Sequence, residues 1–330
     1  MSPPNPPFET RTLRYGPAAI AEAAALIAAG EPVAVPTETV YGLAADATES
    51  AAVARIYAAK GRPSFNPLIV HVADLATAAR IAIVDERARA LAAAFWPGPL
   101  TLVLPLRADA GVASLVTAGL DTVALRVPAH RAMRALLEAT GKPLAAPSAN
   151  ASNRISPTRA EHVLATLGGR IPLVIDDGPT RAGLESTIVK DGAILRPGPI
   201  TAADIERARS HEGESPESRT PIFEPLGSRL RGSTEGVTAP GQLPTHYAPS
   251  KPLRLNAEAA DPDEWLIGFG PVAGDATLSA SGDLVEAAAR LFDALHAADA
   301  APKPRIAIAP IPEDGIGAAI NDRLRRAAHR

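Results

Sequence analysis

Helical and strand-like patterns alternate along the first two thirds of the chain. Alanine-rich segments with helical spacing of apolar residues lie at 18–30, 50–59, 75–81, 85–95, 131–140 and 158–167. Short apolar runs typical of buried strands lie at 32–36, 68–72, 101–106, 122–128, 142–147 and 171–176. Because some of these runs follow one another without an intervening helix, they favour a mixed sheet over a purely parallel one. The pattern therefore predicts an α/β domain.

The character of the chain changes after residue 210. Residues 211–241 are rich in Glu, Ser, Pro, Arg and Gly and have no apolar periodicity, which is typical of a linker. Beyond them, the strand-like runs PLRLNA, WLIGFG and RIAIAPI alternate with helical patterns and predict a small Rossmann-like α/β domain. We therefore predict a first domain at 1–210, a linker or lid at 211–249 and a second domain at 250–330.

Composition excludes several classes of protein. The chain has 330 residues, of which 46% are hydrophobic, and this supplies enough material for packed cores. A formal net charge of −3 argues against a polybasic nucleic-acid binder, so any contact with nucleic acid would be a local patch. The sequence has no cysteine, which excludes disulfides, thiolate nucleophiles and cysteine-based zinc sites. With no membrane-length apolar segment and no targeting pattern, we expect a cytoplasmic protein.

The candidate chemistry begins with two segments, PTETVYGLAAD at 36–46 and KGRPSFNPLIVHV at 60–72. Lys60 and Arg62 lie between a helical run and a strand-like run, so both cations would project from a loop that can meet an anion. Such a pair by itself commonly only offsets a helix dipole. Here threonines flank a glutamate at the preceding strand end, and an Asn-Pro pair leads into the next strand. Together these features indicate an enzyme that uses a nucleotide.

Further motifs follow in order along the chain. They are PSANASNRISPT at 147–158, DDGPTRAGLESTIV at 176–189, LRPGPI at 195–200 and PGQLPTHYAP at 240–249. With these motifs the chain resembles the YrdC/Sua5 family of threonylcarbamoyl-AMP synthases over residues 16–206, and the last motif is similar to the linker of the long, two-domain branch. The resemblance implies a YrdC-like twisted mixed sheet with flanking helices, followed by a smaller Rossmann-like domain.

The resemblance also implies a reaction. L-threonine, bicarbonate or CO2, and ATP would condense to threonylcarbamoyl-AMP and pyrophosphate, for the N6-threonylcarbamoyladenosine modification of tRNA. Because a carbamate is already nucleophilic, this step needs positioning and positive charge more than a covalent nucleophile. We therefore expect Lys60 and Arg62 to be catalytic charges. Mg²⁺ is expected to arrive with ATP and to be held by its phosphates, without a metal site of the protein's own.

The residues that match the family's binding motifs fall into two sets. Those implied for ATP are Arg62, Asn66, Thr122, Ser148, Asn150, Ser156, Arg196 and Tyr247. Those implied for L-threonine are Thr39, His71, Arg126, Ser186 and the backbone near Ala146. Arg126 suits a carboxylate because a guanidinium can donate two parallel hydrogen bonds. Tyr247 suggests a lid that closes the nucleotide site against water.

The use of the product implies a partner, a tRNA threonylcarbamoyl transferase complex, and a weak direct contact with tRNA stays open. Two other functions are also open: an RNA-binding YrdC-like protein, and a paralogue that acts on another amine. The near-neutral charge and the 4% aromatic content disfavour RNA binding. The related domain of hydrogenase-maturation carbamoyltransferases belongs to proteins that carry zinc-binding cysteines, which this sequence lacks.

Overall fold

The structure is a computed structural model that describes residues 8–210, here called the N-terminal domain, and 246–329, the C-terminal domain. The N-terminal strands are β1 Arg11–Arg14, β2 Val33–Pro36, β3 Tyr41–Asp46, β4 Ile69–His71, β5 Leu100–Pro105, β6 Thr122–Arg126, β7 Leu144–Ala145, β8 Leu173–Asp176, β9 Thr187–Lys190 and β10 Ala193–Arg196. The N-terminal helices are α1 Pro17–Ala28, α2 Ser50–Lys60, α3 Leu75–Ile81, α4 Glu86–Phe95, α5 Ser114–Thr117, α6 Arg131–Thr140, α7 Ala160–Leu167 and α8 Ala202–Ser210.

The N-terminal strands form one sheet in the order β1-β8-β2-β3-β7-β4-β6-β5-β9-β10. Four neighbouring pairs are parallel, namely β1 with β8, β8 with β2, β4 with β6 and β5 with β9. The other neighbours are antiparallel, including β2 with β3, which a four-residue loop connects. A loop this short permits only an antiparallel pair, because a parallel pair needs a long crossover. The predicted mixed sheet is thus confirmed.

Several predicted elements differ from the observed ones at their ends. The run at 142–147 contributes only the two-residue strand β7, because prolines at 143 and 147 have no N–H to donate to a neighbouring strand. The helix predicted from residue 158 begins at Ala160. Thr158 lies just before it, and its backbone N–H donates to His162 Nδ1 at 3.3 Å. Strands β1, β3, β9 and β10 have no counterpart among the predicted apolar runs. Strands β1, β9 and β10 are only four residues long and carry a charged residue at one end or both, and β3 lies within the motif at 36–46.

The sheet is covered on both faces by helices. Apolar residues of α1 and α6 pack against β2 and β8 on one face. Residues of α2, α4, α7 and α8 pack on the other face, around the central strands. Many of these contacts are made by alanine, whose small side chain lets a helix approach the sheet closely. The strands that carry the candidate site are therefore held in a rigid, buried framework.

The C-terminal domain is a smaller parallel sheet with two helices. Its strands are β11 Leu253–Arg254, β12 Glu264–Gly268, β13 Ala276–Thr277 and β14 Arg305–Ile308, in the order β11-β14-β12-β13. Its helices are α9 Leu284–Ala300 and α10 Gly317–Ala328. All described pairs of this sheet are parallel, as in a Rossmann-like arrangement, which agrees with the prediction.

The two domains share one hydrophobic cluster. Val40, Ile155 and Leu184 of the N-terminal domain pack in the same cluster as Tyr247 and the inner faces of α9 and α10. Gly183 has a φ of +68°, and a Cβ at this position would lie 2.4 Å from a backbone oxygen of α9. Only glycine permits this close approach. The C-terminal domain is thus packed directly against the segment that leads to Ser186.

The predicted linker lies mostly outside the described residues, and only residues 246–249 of it are described. Within the described ranges, no helix is both long enough and apolar enough to cross a membrane.

Candidate active site

A cavity lies where the ends of several N-terminal strands meet residues 246 and 247. Its wall comes from the β2–β3 loop, the ends of β4, β6 and β10, the segment after β7 and the segment before β9. His71 and Arg126 are the last residues of the parallel strands β4 and β6 and are partners in register. Partner residues of neighbouring strands project from the same face of a sheet, so both side chains reach the cavity.

The five residues implied for L-threonine lie around this cavity. Thr39, His71, Arg126, Ala146 and Ser186 all line it, although they come from five separate segments of the chain. The resemblance implied this set, and the structure brings its members together. Their individual roles stay predictions.

Arg126 is buried and held by three hydrogen bonds. Its Nε donates to the Gly98 carbonyl oxygen at 3.1 Å, Nη1 to Thr39 Oγ1 at 3.0 Å and Nη2 to Glu38 Oε1 at 2.6 Å. Burial raises the pKa of Glu38, but the charge and hydrogen bond of Arg126 outweigh it and leave that pKa below its ordinary value. Each terminal nitrogen of Arg126 still has a second N–H, so a ligand carboxylate can be bound by a preorganised guanidinium.

His71 is neutral in the folded protein. Burial, reinforced by the Arg126 charge, lowers the pKa of His71 from 6.5 to about 3. Neither ring nitrogen has a hydrogen-bond partner in the described part of the chain. A neutral imidazole offers one donor and one acceptor, which suits a ligand hydroxyl or amine. This agrees with a binding role for His71.

Two guanidinium groups, Arg62 and Arg196, also line the cavity; Arg196 is buried and Arg62 is half-buried. Arg62 donates to the carbonyl oxygens of Asn66 at 3.2 Å and Pro67 at 2.9 Å. Arg196 donates to the Ser186 carbonyl oxygen from Nε at 3.1 Å and from Nη2 at 2.9 Å. Burial lowers the pKa of Arg62 to about 10, and it also lowers the pKa of Arg196. Burial thus disfavours the charged forms of Arg62 and Arg196, and an anion bound between the two arginines would stabilise those charges.

The ammonium group of Lys60 contacts backbone carbonyl oxygens and does not reach the cavity in which a phosphate would bind. Lys60 does not line the cavity; its Nζ donates to the backbone carbonyl oxygens of Ser148 and Asn150, at 2.5 Å each. Burial, together with the Arg62 charge, lowers the pKa of Lys60 well below its ordinary value. Lys60 therefore fixes the loop that carries Ser148, and its expected role as a catalytic charge stays a prediction.

The remaining residues implied for ATP are divided between the cavity and its surroundings. Ser148 and Tyr247 line the cavity, whereas Asn66, Asn150, Ser156 and Thr122 do not. The Oδ1 atom of Asn66 is buried without a partner in the described ranges, and Asn150 Nδ2 donates to the carbonyl oxygens of residues 151 and 154. Thr122 lies at the opposite end of β6 from Arg126, roughly 13 Å away along the strand.

Sequence reasoning missed Glu185, which lines the cavity as a carboxylate. It accepts hydrogen bonds from Ser156 Oγ and, at 2.9 Å, from Arg323 Nε of α10. Glu185 lies within the motif at 176–189, which marks its segment, but no motif marks Arg323. A neighbouring glycine makes the arrangement possible, since a Cβ on Gly198 would lie 2.5 Å from Thr187 N. The turn at 195–200 can therefore pack tightly against the Glu185 segment.

Tyr247 brings the C-terminal side of the chain into the cavity wall. Its side chain is fully buried, at φ +65°, with its ring centroid 5.6 Å from that of Phe292 and 5.3 Å from Arg323 Cζ. Its hydroxyl has no hydrogen-bond partner in the part of the chain that the structure describes. His246 lies beside it, with ring centroids 4.1 Å apart, and burial lowers the pKa of His246 well below its ordinary value.

Two family models match the chain, and together they span nearly all of it. One, described as "Telomere recombination", matches residues 25–198, and the other, described as "Threonylcarbamoyl-AMP synthase, C-terminal domain", matches residues 200–329. The chain belongs to the YrdC/Sua5 family.

Its similarity to individual YrdC/Sua5 proteins extends over both domains. The threonylcarbamoyl-AMP synthase of Bacillus subtilis is 41% identical over 94% of this chain and 92% of its own length. The threonylcarbamoyl-AMP synthase of Pyrococcus abyssi is 39% identical over 93% of each chain. A crystal structure of P. abyssi Sua5 complexed with L-threonine matches with a TM-score of 0.84 at 37% identity, over 97% of each chain. These similarities confirm the predicted family and fold.

Proposed function

We infer that this chain is a threonylcarbamoyl-AMP synthase, a nucleotidyltransferase that joins L-threonine, bicarbonate or CO2, and ATP and releases pyrophosphate. One observation carries the inference: the residues suited to an amino acid and two arginines suited to phosphates, Arg62 and Arg196, line a single cavity. Arg196 connects the two sets, because its Nη2 donates to Ser186 Oγ at 3.1 Å. A site for one reaction between an amino acid and a nucleotide explains this arrangement.

The steps of the reaction divide naturally between these two sets of residues. We propose that Arg126 binds the carboxylate of L-threonine, while neutral His71 and Thr39 bind its hydroxyl or amine. Capture of CO2 by the free amine gives a carbamate, whose oxygen attacks the α-phosphorus of ATP. As that P–O bond forms, the bond from the α-phosphorus to the bridging oxygen breaks and pyrophosphate leaves. Arg62 and Arg196 would offset the charge that develops on the leaving group.

Mg²⁺ fits this site as a companion of the nucleotide. Among the described residues no group of three His, Cys, Asp or Glu side chains is arranged to hold a metal ion. The carboxylate of Glu185 faces the cavity, but Ser156 and Arg323 already donate to its two oxygens. We therefore expect the ATP phosphates to supply most of the oxygen ligands, as is usual for Mg²⁺. When bound, the ion would neutralise phosphate charge.

We propose that Tyr247 is part of a lid over the nucleotide. The contacts that support this are its burial against the cavity, its position between Phe292 and Arg323, and its unpartnered hydroxyl. A closed lid would exclude water from a carbamoyl-adenylate that is prone to hydrolysis. Residues 211–245 of the predicted lid lie outside the described residues.

The product would serve tRNA modification through a tRNA threonylcarbamoyl transferase complex, in the cytoplasm. Both this partner and a weak tRNA contact are proposals that rest on the chemistry of the product. An acyl-adenylate analogue such as this one is reactive, so direct transfer to a partner enzyme would protect it.

Pyrophosphate release tests the function. Purified protein is mixed with ATP, MgCl2, bicarbonate and one amino acid, and the nucleotide product is identified by mass. We expect release that requires both L-threonine and bicarbonate, and a product with the mass of threonylcarbamoyl-AMP. Equal release with serine would support a paralogue with another amine substrate. No release from folded protein, together with tRNA binding, would support the RNA-binding alternative.

A further inference from the structure

Thr101, on the strand between β6 and β9, has a buried hydroxyl that the proposed reaction does not use. Its side chain is fully buried on β5, and its Oγ1 lies 2.7 Å from Ser186 Oγ. Within residues 8–210 and 246–329, Ser186 is the sole side-chain hydrogen-bond partner of this hydroxyl. A buried hydroxyl proton needs an acceptor, because leaving it unpaired costs about 1–3 kcal/mol. Thr101 must therefore donate its proton to Ser186 Oγ.

This donation fixes the behaviour of Ser186. The Ser186 Oγ also accepts from Arg196 Nη2 at 3.1 Å, and a hydroxyl oxygen has two lone pairs. Both lone pairs are then occupied, one by Thr101 and one by Arg196. The single proton of Ser186 remains, and Ser186 lines the cavity. Ser186 is therefore a hydrogen-bond donor to whatever occupies the cavity.

We propose that Thr101 is a positioning residue that makes Ser186 a hydrogen-bond donor toward the cavity. Ser186 then donates to an oxygen that carries negative charge, which in L-threonine is the carboxylate. A bound amino acid is thereby oriented with its carboxylate toward Ser186. This inference rests on the proposed function of the cavity.

The test uses the full-length protein and two variants at position 101. Thr101→Val removes the hydroxyl at nearly constant volume, and Thr101→Ser keeps it. Thr117→Val is the matched control, because Thr117 is also buried but lies on α5, where its hydroxyl donates to the Ser114 carbonyl oxygen at 3.2 Å. The Kd for L-threonine is measured by calorimetry, alongside the KM for each substrate and kcat.

Thr101→Val is expected to raise the Kd for L-threonine roughly two- to tenfold, the range that one net hydrogen bond supports. The KM for ATP should stay within about twofold, and Thr101→Ser and Thr117→Val should bind L-threonine as the wild type does. In a Ser186→Ala background, Thr101→Val should cause no further loss, because Thr101 acts only through Ser186.

The proposal is overturned if Thr101→Val binds L-threonine as tightly as the wild type. It is also overturned if Thr101→Val weakens L-threonine equally in the presence and absence of the Ser186 hydroxyl, or if the Thr117 control has the same loss. These outcomes differ from failure of the proposed function, in which the wild-type protein itself neither binds L-threonine nor forms threonylcarbamoyl-AMP.

Discussion

Replacing Arg323 by alanine should disrupt both the junction between the domains and the nucleotide site. Arg323 is fully buried on α10; its Nε donates to Glu185 Oε2 at 2.9 Å, and its Nη1 donates to the Pro197 carbonyl oxygen at 2.8 Å and to Asp322 at 2.9 Å. Burial alone would lower the pKa of Arg323, but Tyr247, Glu185 and Asp322 raise it above its ordinary value. The guanidinium is therefore charged, and Glu185 depends on it.

The magnitude follows from burial. Removing one partner of a buried ion pair leaves an uncompensated charge and costs about 3–5 kcal/mol. The matched control is Arg325→Ala on the same helix, because Arg325 pairs with Glu313 at 2.7 Å and both side chains are more than half exposed. An exposed pair contributes about 0–1 kcal/mol. The two variants should thus differ by at least about 2 kcal/mol in unfolding free energy.

The assay is urea unfolding followed by tryptophan fluorescence. The sequence has two tryptophans, Trp96 in the N-terminal domain and Trp265 in the C-terminal domain, so a Trp96→Phe background reports on the C-terminal domain. A two-domain protein need not unfold in one step, and the separate probe avoids that assumption. We also expect Arg323→Ala to raise the KM for ATP, since Glu185 and Tyr247 both line the cavity.

Two results would refute this reasoning about Arg323. The first is equal loss of stability in Arg323→Ala and Arg325→Ala. The second is strict additivity in a double-mutant cycle with Glu185→Gln, because removal of both partners should be less damaging than the sum of the single changes. Arg323→Lys offers an intermediate case, since it keeps the charge but cannot make all three contacts.

The remaining predictions concern the cations, the lid and pH. Arg62→Ala should lower turnover and raise the KM for ATP while the Kd for L-threonine is unchanged; unchanged kinetics with ATP would contradict its placement. Tyr247→Phe should alter stability by no more than about 1 kcal/mol, because its hydroxyl has no described partner, yet it should weaken ATP binding if that hydroxyl meets the nucleotide. Equal ATP affinity in both proteins would reject that contact. Burial lowers the pKa of His71 and of His162 from 6.5 to about 3, so the unfolded chain binds these protons more readily than the folded one. Stability should be complete above pH 6.5 and fall towards pH 3, by up to about 1.4 kcal/mol per pH unit for each histidine; urea unfolding at several pH values measures it, and His162→Gln should reduce the slope.

Local patterns in the sequence predicted much of this protein. Helical spacing and apolar runs identified most helices and the central strands, because both depend on residues a few positions apart. The order of the motifs indicated the family and the residues implied for the amino acid. His71 and Arg126 are an example, because each lies within a strand-like run of the sequence and each is the last residue of an observed strand. Parallel pairing of β4 and β6 was enough to bring them together.

Other features depend on contacts that no local pattern records. Lys60 was expected to project from its loop towards an anion, and the fold directs its ammonium group to the carbonyl oxygens of Ser148 and Asn150, 88 and 90 residues away. Arg323 meets Glu185 across 138 residues, and Thr101 meets Ser186 across 85. The chain by itself determined which elements form and which chemical groups are available. The sheet order β5-β9-β10 and the packing of α10 decided which of those groups meet, because hydrogen bonds and ion pairs act over a few ångströms and only tertiary structure brings distant residues that close.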